Sequence, residues 1–591
     1  MILKELSELY ERLILQGVNL PRLGYSSQKV SYRVIIRPDG SLVRIEDARD
    51  TEITYRETKK GKVESSRLVM REYLVPGGAK PPGSGTNPCF LWDNAAYQLG
   101  CIEVKDRAHE YFQASKEAHL AVEKEINSPA YSAVCRFYEN WNPDNCADYI
   151  PNKEIYTGNG IFFISGEDIP VHEDEAVRRW WKNTGCNVWR KGEKAQSGGA
   201  MGMCLVKGTY GKVATLHDPS IKGVANSQSM GAKLVSFNCK AFESYGKTQS
   251  ENSPVSEEVA FAYCNALNYL LAGNRNRCKI GDATFVFWTD APQEKAEEIE
   301  LLIGAFLDSA PVAQDKTLVD RVKNNISAIA KGRVPEDLLN TELKFYILGL
   351  SPNVARLSVR FFKDGSLDEL ILNLKDHYSN LNLRKRNEKF HDPELITPYY
   401  ILRETARDSD GIPPLFSGAL MRSILFKQAY PDSIAVAIIR RFKADKDINY
   451  VRCAYLKAWL SRKSSNYQIK PMLDINNNQP GYVLGRLFAM LQKTQTDALP
   501  SLNRTIQDTY YTSASSTPGI VFPRLLRLLR HHVDKLPHEG MKVVREKQLQ
   551  SVMGMLSSFP ARLSVEQQGL FALGFYHQMQ DLYTSQPTKE Q

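Results

Sequence analysis

A chain of 591 residues has room for about three to four domains, each with its own core. Its 42% hydrophobic and 24% charged residues suit a globular protein and exclude a disordered or fibrous one. The formal charge of +9 favours polyanionic partners through phosphate neutralisation, but many enzymes carry a similar excess, so its placement matters more than its sum. No apolar run approaches the roughly 18 residues a membrane span requires. Met1 to Gln16 mixes Lys4, Glu5, Glu8, Glu11 and Arg12 with its leucines, so it is not a signal peptide, and a cytoplasmic protein with no membrane partner is expected. The ten cysteines, at 89, 101, 135, 146, 186, 204, 239, 264, 278 and 453, contain no C-x-x-C pair. That argues against a structural zinc or redox pair and for reduced, mostly buried thiols.

In chain order, the first segment reads as an amphipathic helix with Leu3, Leu6, Tyr10 and Leu13 on one face, stopped by Gly17. Val30 to Arg37 and Ser41 to Ile45 flank Pro38-Asp39-Gly40 and read as a hairpin. From Arg56 to Lys80 seven basic residues face three acids, and Pro76 to Asn87 is too rich in Gly and Pro for helix or central strand. The stretch is expected to be a long basic surface loop, either solvated or ligand-binding. Ile161 to Ile164, Cys204 to Val206 and Lys233 to Phe237 read as strands. Ser253-Pro254 opens a helix carrying Val259, Tyr263, Leu267 and Leu271 and ended by Gly273, and Thr284 to Trp288 is a buried strand. After Gln293 helical periodicity dominates, with one strand-like run at Leu357 to Phe362. A break at Pro471 to Gly481 precedes an all-helical tail. The expected fold is an α+β N-terminal lobe (1–292), a mainly helical intermediate region (293–471) and a C-terminal α-helical bundle (472–591).

Catalytic signatures are weak. Ala241 to Thr248 fits a permissive phosphate-loop pattern, but Phe242, Glu243 and Tyr245 are bulky or negative, and no helix follows Lys247-Thr248 directly. His217-Asp218 is the kind of pair a metal-dependent phosphohydrolase uses, yet Asp218-Pro219 also reads as a turn, and no further ligand set accompanies it. There is no G-x-S-x-G elbow and no H-E-x-x-H helix. The residues point to no catalytic group, metal site or cofactor.

The binding signal lies in two places. Lys222 to Lys233 combines Gly223 and Gly231 for close backbone approach, Lys222 and Lys233 for phosphates, and Asn226, Ser227 and Gln228 for base edges. Asn238, Lys247, Gln249 and Asn252 extend the same chemistry, and Lys80 and Asn87 form an alternative reading surface. A solvated loop has the same composition. In the tail, Leu525, Leu526, Leu529 and Val533 make an inward stripe, while Arg524, Arg527, His531 and Lys535 fall on one helix face. That face is either an ordinary solvated one or a ridge tracking a nucleic-acid backbone.

Several segments together resemble the large subunit of the type I-C CRISPR Cascade complex. They are Cys89 to Tyr97, Ile221 to Val224 running on to Leu234 to Asn238, Ala241 to Gly246, Ile280 to Trp288, Leu348 to Ser358 and Leu573 to Gln578, in family order along the chain. The resemblance implies a non-catalytic subunit that sits against the crRNA 5′ handle, beside backbone, handle-binding and small subunits. It implies recognition of the protospacer-adjacent motif on target double-stranded DNA, help in R-loop formation and recruitment of a separate helicase-nuclease. It also implies that the C-terminal helical part resembles the small subunit and is made separately from an internal start, which Met472 would match. A nucleic-acid-binding scaffold outside CRISPR defence and a nuclease using His217 and Asp218 are the alternatives.

Overall fold

The computed structural model describes residues 1–58, 61–78, 86–149, 153–189, 200–307, 315–339, 342–386 and 390–584. They form two compact units, one of residues 1–219 with 235–266, the other of residues 220–234 with 267–591.

The first unit opens with helix α1 (Ile2–Leu15), which buries Leu6, Leu9, Tyr10 and Leu13 and is followed by Gly17 at φ +79°. Its main sheet has the order β2-β1-β7-β6, with β5 also paired to β1. The strands are β1 (Tyr25–Ile36), β2 (Leu42–Asp47), β5 (Arg71–Pro76), β6 (Trp92–Asn94) and β7 (Asn159–Ile164). The β1–β2 turn is the expected Pro38-Asp39-Gly40. Gly40 sits at φ +85°, where an added Cβ would lie 2.5 Å from Arg136 Cβ, so only glycine fits there. β7 runs parallel to β1, and helices α2 (Ala108–Ile126) and α3 (Pro129–Asn140) lie between them in the chain. Tyr32, Val34, Phe162, Phe137 and Tyr138 fill the core of this unit. Contrary to the expectation of ten reduced thiols, Cys101 and Cys146 form a disulfide.

The stretch expected to be a basic loop from Arg56 is mostly strand. β3 (Asp50–Thr58) and β4 (Gly61–Val69) make a separate antiparallel ribbon, and β5 then returns to β1. Charge pairs accompany the ladder: Arg67 meets Glu52 across the ribbon at 2.6 Å, and Arg71 at the start of β5 meets Asp50 at 2.9 Å. Cys204 to Val206 is not a strand but the turn joining β8 (Met201–Met203) to β9 (Tyr210–Lys212), with the Gly208 N–H donating to the Cys204 carbonyl at 2.8 Å. Lys233 to Phe237 is not a strand either. Lys233 is bridged to Arg356, and the chain bends at once at Leu234 and Val235, which takes the following residues out of a strand. Helix α4 (Glu257–Ala272) ends at Gly273 as expected, but it opens at Glu257 and not at Ser253-Pro254, because the Ser256 hydroxyl accepts the Val259 N–H at 3.4 Å and caps it there.

The second unit holds an antiparallel sheet, β10 (Arg277–Ile280), β11 (Ala283–Thr289), β12 (Lys344–Asn353) and β13 (Arg356–Ser366) in sequential order. β11 is buried throughout, as its aromatic and β-branched run implies. β12 lies where helix was expected. The β11–β12 ladder, Thr284↔Leu350 to Thr289↔Phe345, crosses position 292, which therefore falls within one structural layer. Helices follow, among them α5 (Leu367–Leu381), α6 (Tyr450–Lys463), α7 (Pro480–Ala498), α8 (Pro518–Asp534) and α9 (Val565–Thr584).

α7 is the axis of the terminal bundle, buried from Gly481 to Thr494. It meets α9 almost backbone to backbone. An added Cβ on Gly485 would lie 2.0 Å from the Phe571 carbonyl oxygen, and one on Gly574 would lie 2.0 Å from that of Tyr482. The core does not stop at position 471. Gly569 of α9 packs against Trp459 of α6, Lys463 pairs with Glu566 at 2.8 Å, and Lys443 Nζ donates to Ser516 and Gln568 at 2.8 Å each. The architecture is thus an α+β lobe followed by mainly helical segments and a C-terminal bundle, with that bundle sharing its core with the helices before it.

Candidate nucleic-acid interface

The loop singled out in the sequence is a built object of the second unit. Its ends are closed by Ile221 and Ala232, which exchange both backbone hydrogen bonds at 2.9 and 2.8 Å. Ile221, Val224 and Ala232 are buried, and they anchor the inner side. Asn268 on α4 clamps the base: its Oδ1 accepts the Lys222 N–H at 2.8 Å, while its Nδ2 donates to the Ser220 carbonyl at 3.0 Å. Thr284 on β11 accepts the Ala225 N–H at 3.0 Å. Gly231 lies at φ +90°, where a Cβ would stand 2.8 Å from Ser220 Cβ, so the return of the loop requires glycine. The result is a short Ω-like loop with few backbone groups left to wander.

What the loop presents follows from that frame. Lys222, Asn226 and Gln228 are exposed or half-exposed at its outer side, along with Met230. Asn226 takes φ +61°, a conformation asparagine tolerates better than most residues. Ser227 is turned to local duty, its hydroxyl donating to the Val224 carbonyl at 2.7 Å, which weakens its case as a base reader. Lys233 is laddered to the β12–β13 turn, its N–H donating to the Ala355 carbonyl at 3.0 Å and its carbonyl accepting from Leu357 at 2.9 Å.

In the first unit, Asn87 is half-buried and its backbone N–H donates to the Tyr97 hydroxyl at 3.2 Å, while Lys80 lies outside the described residues. Lys247 is exposed in a tight turn. Asn252, read in the sequence as a possible base contact, is consumed in holding that turn, bonded to Ser244, Lys247 and Gln249. Thr248 caps the following 3-10 turn with Glu251, so the phosphate-loop spacing here serves local structure. His217 is 1% exposed and hydrogen-bonded through Nδ1 to the Tyr263 hydroxyl at 2.8 Å. Among the described residues, no group of three or more His, Cys, Asp and Glu side chains is placed to hold a metal ion.

On α8 the inward stripe is Val521, Phe522, Leu525 and Val533, and the outer face carries Arg524, Arg527, Arg530, His531 and, just past its end, Lys535. The Arg524 guanidinium lies 5.6 Å from the Tyr510 ring centre. Beside the ridge is a groove of about 630 Å³ lined by Pro523, Leu526, Arg527, Arg530, His531 and Phe559. The sequence reading missed Arg530, although its i+3 spacing from Arg527 was visible. It could not have found Phe559, which a distant segment brings in, its ring stacked on Phe522 at 5.5 Å. Behind the ridge, burial and the neighbouring His531 and Lys535 charges hold the His532 imidazole below its ordinary range.

No helix among the described residues is long and apolar enough to cross a membrane. A comparison with curated proteins returns no match. The family model described as CRISPR-associated protein (Cas_Csd1) matches residues 6–583, nearly the full length and with both candidate surfaces inside it. The chain therefore belongs to the Cas_Csd1 family of CRISPR-associated proteins.

Proposed function

We propose that the protein is the non-catalytic large subunit of an RNA-guided type I-C Cascade complex. In this reading it recognises the protospacer-adjacent motif on duplex DNA, promotes R-loop formation and supports recruitment of the helicase-nuclease. The observation that carries it, within a chain of this family, is the clamped Ile221–Ala232 loop. It offers Lys222 for a phosphate and Asn226 and Gln228 for base edges from a backbone fixed by Asn268, Thr284 and Gly231. A fixed frame is what reading a short motif demands, because guide pairing supplies the rest of the sequence specificity. Exchanging a DNA duplex for an RNA–DNA one is nearly neutral, so modest backbone contacts from the α8 ridge are enough to favour it.

The test is binding of correct and altered motif DNA at fixed salt. Gln228→Ala and Asn226→Ala are each expected to narrow the difference by about 1–3 kcal/mol, the usual worth of one base-edge interaction. Full discrimination in both variants would move motif reading elsewhere, to the segment around Lys80 and Asn87. The purified chain is expected to leave DNA uncut, and metal-dependent cleavage that disappears in His217→Ala would replace this reading with the nuclease one.

A further inference from the structure

Apart from Lys247, the segment Ala241 to Thr248 is accounted for by neither candidate surface. Its centre is a tight turn closed by Ser244 and Lys247, with the Lys247 N–H donating to the Ser244 carbonyl at 3.0 Å. Both central residues have positive φ, Tyr245 at +54° and Gly246 at +71°. Glycine is at ease there, but a tyrosine is not. Tyr245 is also 100% exposed, so no packing within the chain repays its conformation. The turn is nonetheless held firmly: Asn252 Oδ1 accepts the Ser244 N–H at 3.0 Å, and its Nδ2 donates to the carbonyls of Lys247 and Gln249 at 3.0 and 2.9 Å. A strained aromatic held rigidly in solvent is the mark of a functional position.

The surroundings indicate what the ring meets. Around Tyr245 the segment is mostly polar or small, with Ser244, Gly246, Lys247, Thr248 and Gln249, while Glu243 and the partly exposed Phe242 lie on its N-terminal side. A protein partner would need a contiguous apolar patch around an aromatic anchor. A nucleobase brings its own flat face and needs only a ring, with a cation for the adjoining phosphate. Lys240 and Lys247 are exposed beside the turn. The segment has one carboxylate, Glu243, and the nearby Glu251 is occupied at the Thr248 cap. Tyr245 is fully exposed whereas Phe242 is 39% exposed, and one fully presented ring suits one base at a fixed place, where a binder that tracks a strand would set several in a row.

We propose that Tyr245, carried on the Ser244–Lys247 turn, is a stacking platform for one unpaired nucleobase of DNA at the edge of a duplex, with Lys247 meeting the neighbouring phosphate. This deepens the nucleic-acid reading above and rests on it.

The probe is a DNA duplex with one 2-aminopurine in a single-base bulge, set against the same base paired, with the purified full chain at fixed salt. The protein is expected to quench the bulged base and bind that duplex about tenfold or more tightly than the paired one. Tyr245→Gly is expected to abolish the preference while melting at the same or a higher temperature, because glycine relieves the backbone. Tyr245→Trp is expected to keep it. The idea is overturned if the native chain shows no preference, if Tyr245→Gly retains it, or if Tyr245→Trp loses it. Loss accompanied by a lower melting temperature marks a structural role instead. Quenching confined to a bulged RNA duplex removes the DNA assignment, and loss only of co-purifying protein subunits makes the ring a protein contact. Motif discrimination, read on fully paired DNA, is expected to be unchanged in Tyr245→Gly. Should the native chain fail that discrimination yet keep the Tyr245-dependent quench, the motif reading falls and the platform stands.

Discussion

The Ile221–Ala232 loop and the α8 ridge both present basic groups to solvent, and they are built on opposite logics. The loop has little regular structure, but its backbone is fixed by paired ends, the Asn268 clamp and a glycine that only one turn geometry explains. The ridge is a helix face held from behind by packed apolar side chains, with long flexible arginines on its outer side. A backbone held at several points can place an amide against one base edge. A row of mobile cations cannot, although it can neutralise phosphates of any sequence. Specificity and strength are therefore expected to be separable in this protein.

Acid is the broadest way to pull the two apart. The bundle beneath the ridge contains His577, bonded through Nδ1 to the Tyr482 hydroxyl at 2.8 Å and held down to about 4 by burial, with the Lys457 charge adding to the effect. Burial likewise holds His119 and His172 at about 4 and His377 at about 3. These groups are neutral when folded and take up protons when unfolded, from about pH 6.5 downward. Their contribution is present above pH 6.5 and lost as pH falls through 4, so melting temperature should decline across that window. His577→Gln should flatten part of the decline, and an unchanged slope would remove the bundle's share.

Next in size is the α7–α9 seam. Gly485→Leu places atoms where the Phe571 carbonyl lies and is expected to destabilise by about 3 kcal/mol or more, seen in thermal unfolding. Sequence-independent binding should fail with the bundle. Gly231→Val strikes the loop instead. Its φ of +90° and the 2.8 Å approach to Ser220 predict a loss of about 1–2 kcal/mol in stability, with motif discrimination lost and non-specific affinity kept. The smallest effect is expected from Arg524→Ala with Arg527→Ala. It should reduce the log–log salt slope by about one to two units, equally for all sequences. If those substitutions changed motif discrimination, or Gly231→Val did not, the contrast between the two surfaces would collapse.

How legible this was in the sequence depended on whether the signal was local. Gly40 in a Pro-Asp-Gly turn and the Thr284–Trp288 run state their conformation within a few residues, and the structure has both. β12 hid because Phe345, Tyr346, Ile347, Leu348 and Leu350 are buried without alternation, and an uninterrupted apolar run does not distinguish strand from helix. The β3–β4 ribbon hid because pairs such as Arg67–Glu52 depend on the register between strands, which local composition does not state. At the candidate sites, residue types such as Lys222, Gln228 and Arg527 were readable. That Ser227 bonds its own turn, and that Phe559 walls the groove, are facts of three dimensions.

The parallel pairing of β1 with β7 bears on the order of events during synthesis. Val30 stands opposite Asn159, and the segments between them include α2 and α3. At the usual pace of about 5–20 residues per second, the ribosome needs roughly 6–26 s to deliver β7 after β1 has emerged. β1 can meanwhile pair with β2 and β5, but the edge it reserves for β7 stays open. For those seconds the nascent chain exposes Tyr32, Val34 and Ile36 beside unpaired backbone, a strand edge ready to capture another extended segment. Yield in the cell should therefore depend on translation speed between codons 36 and 159 more than on the stability of the finished protein.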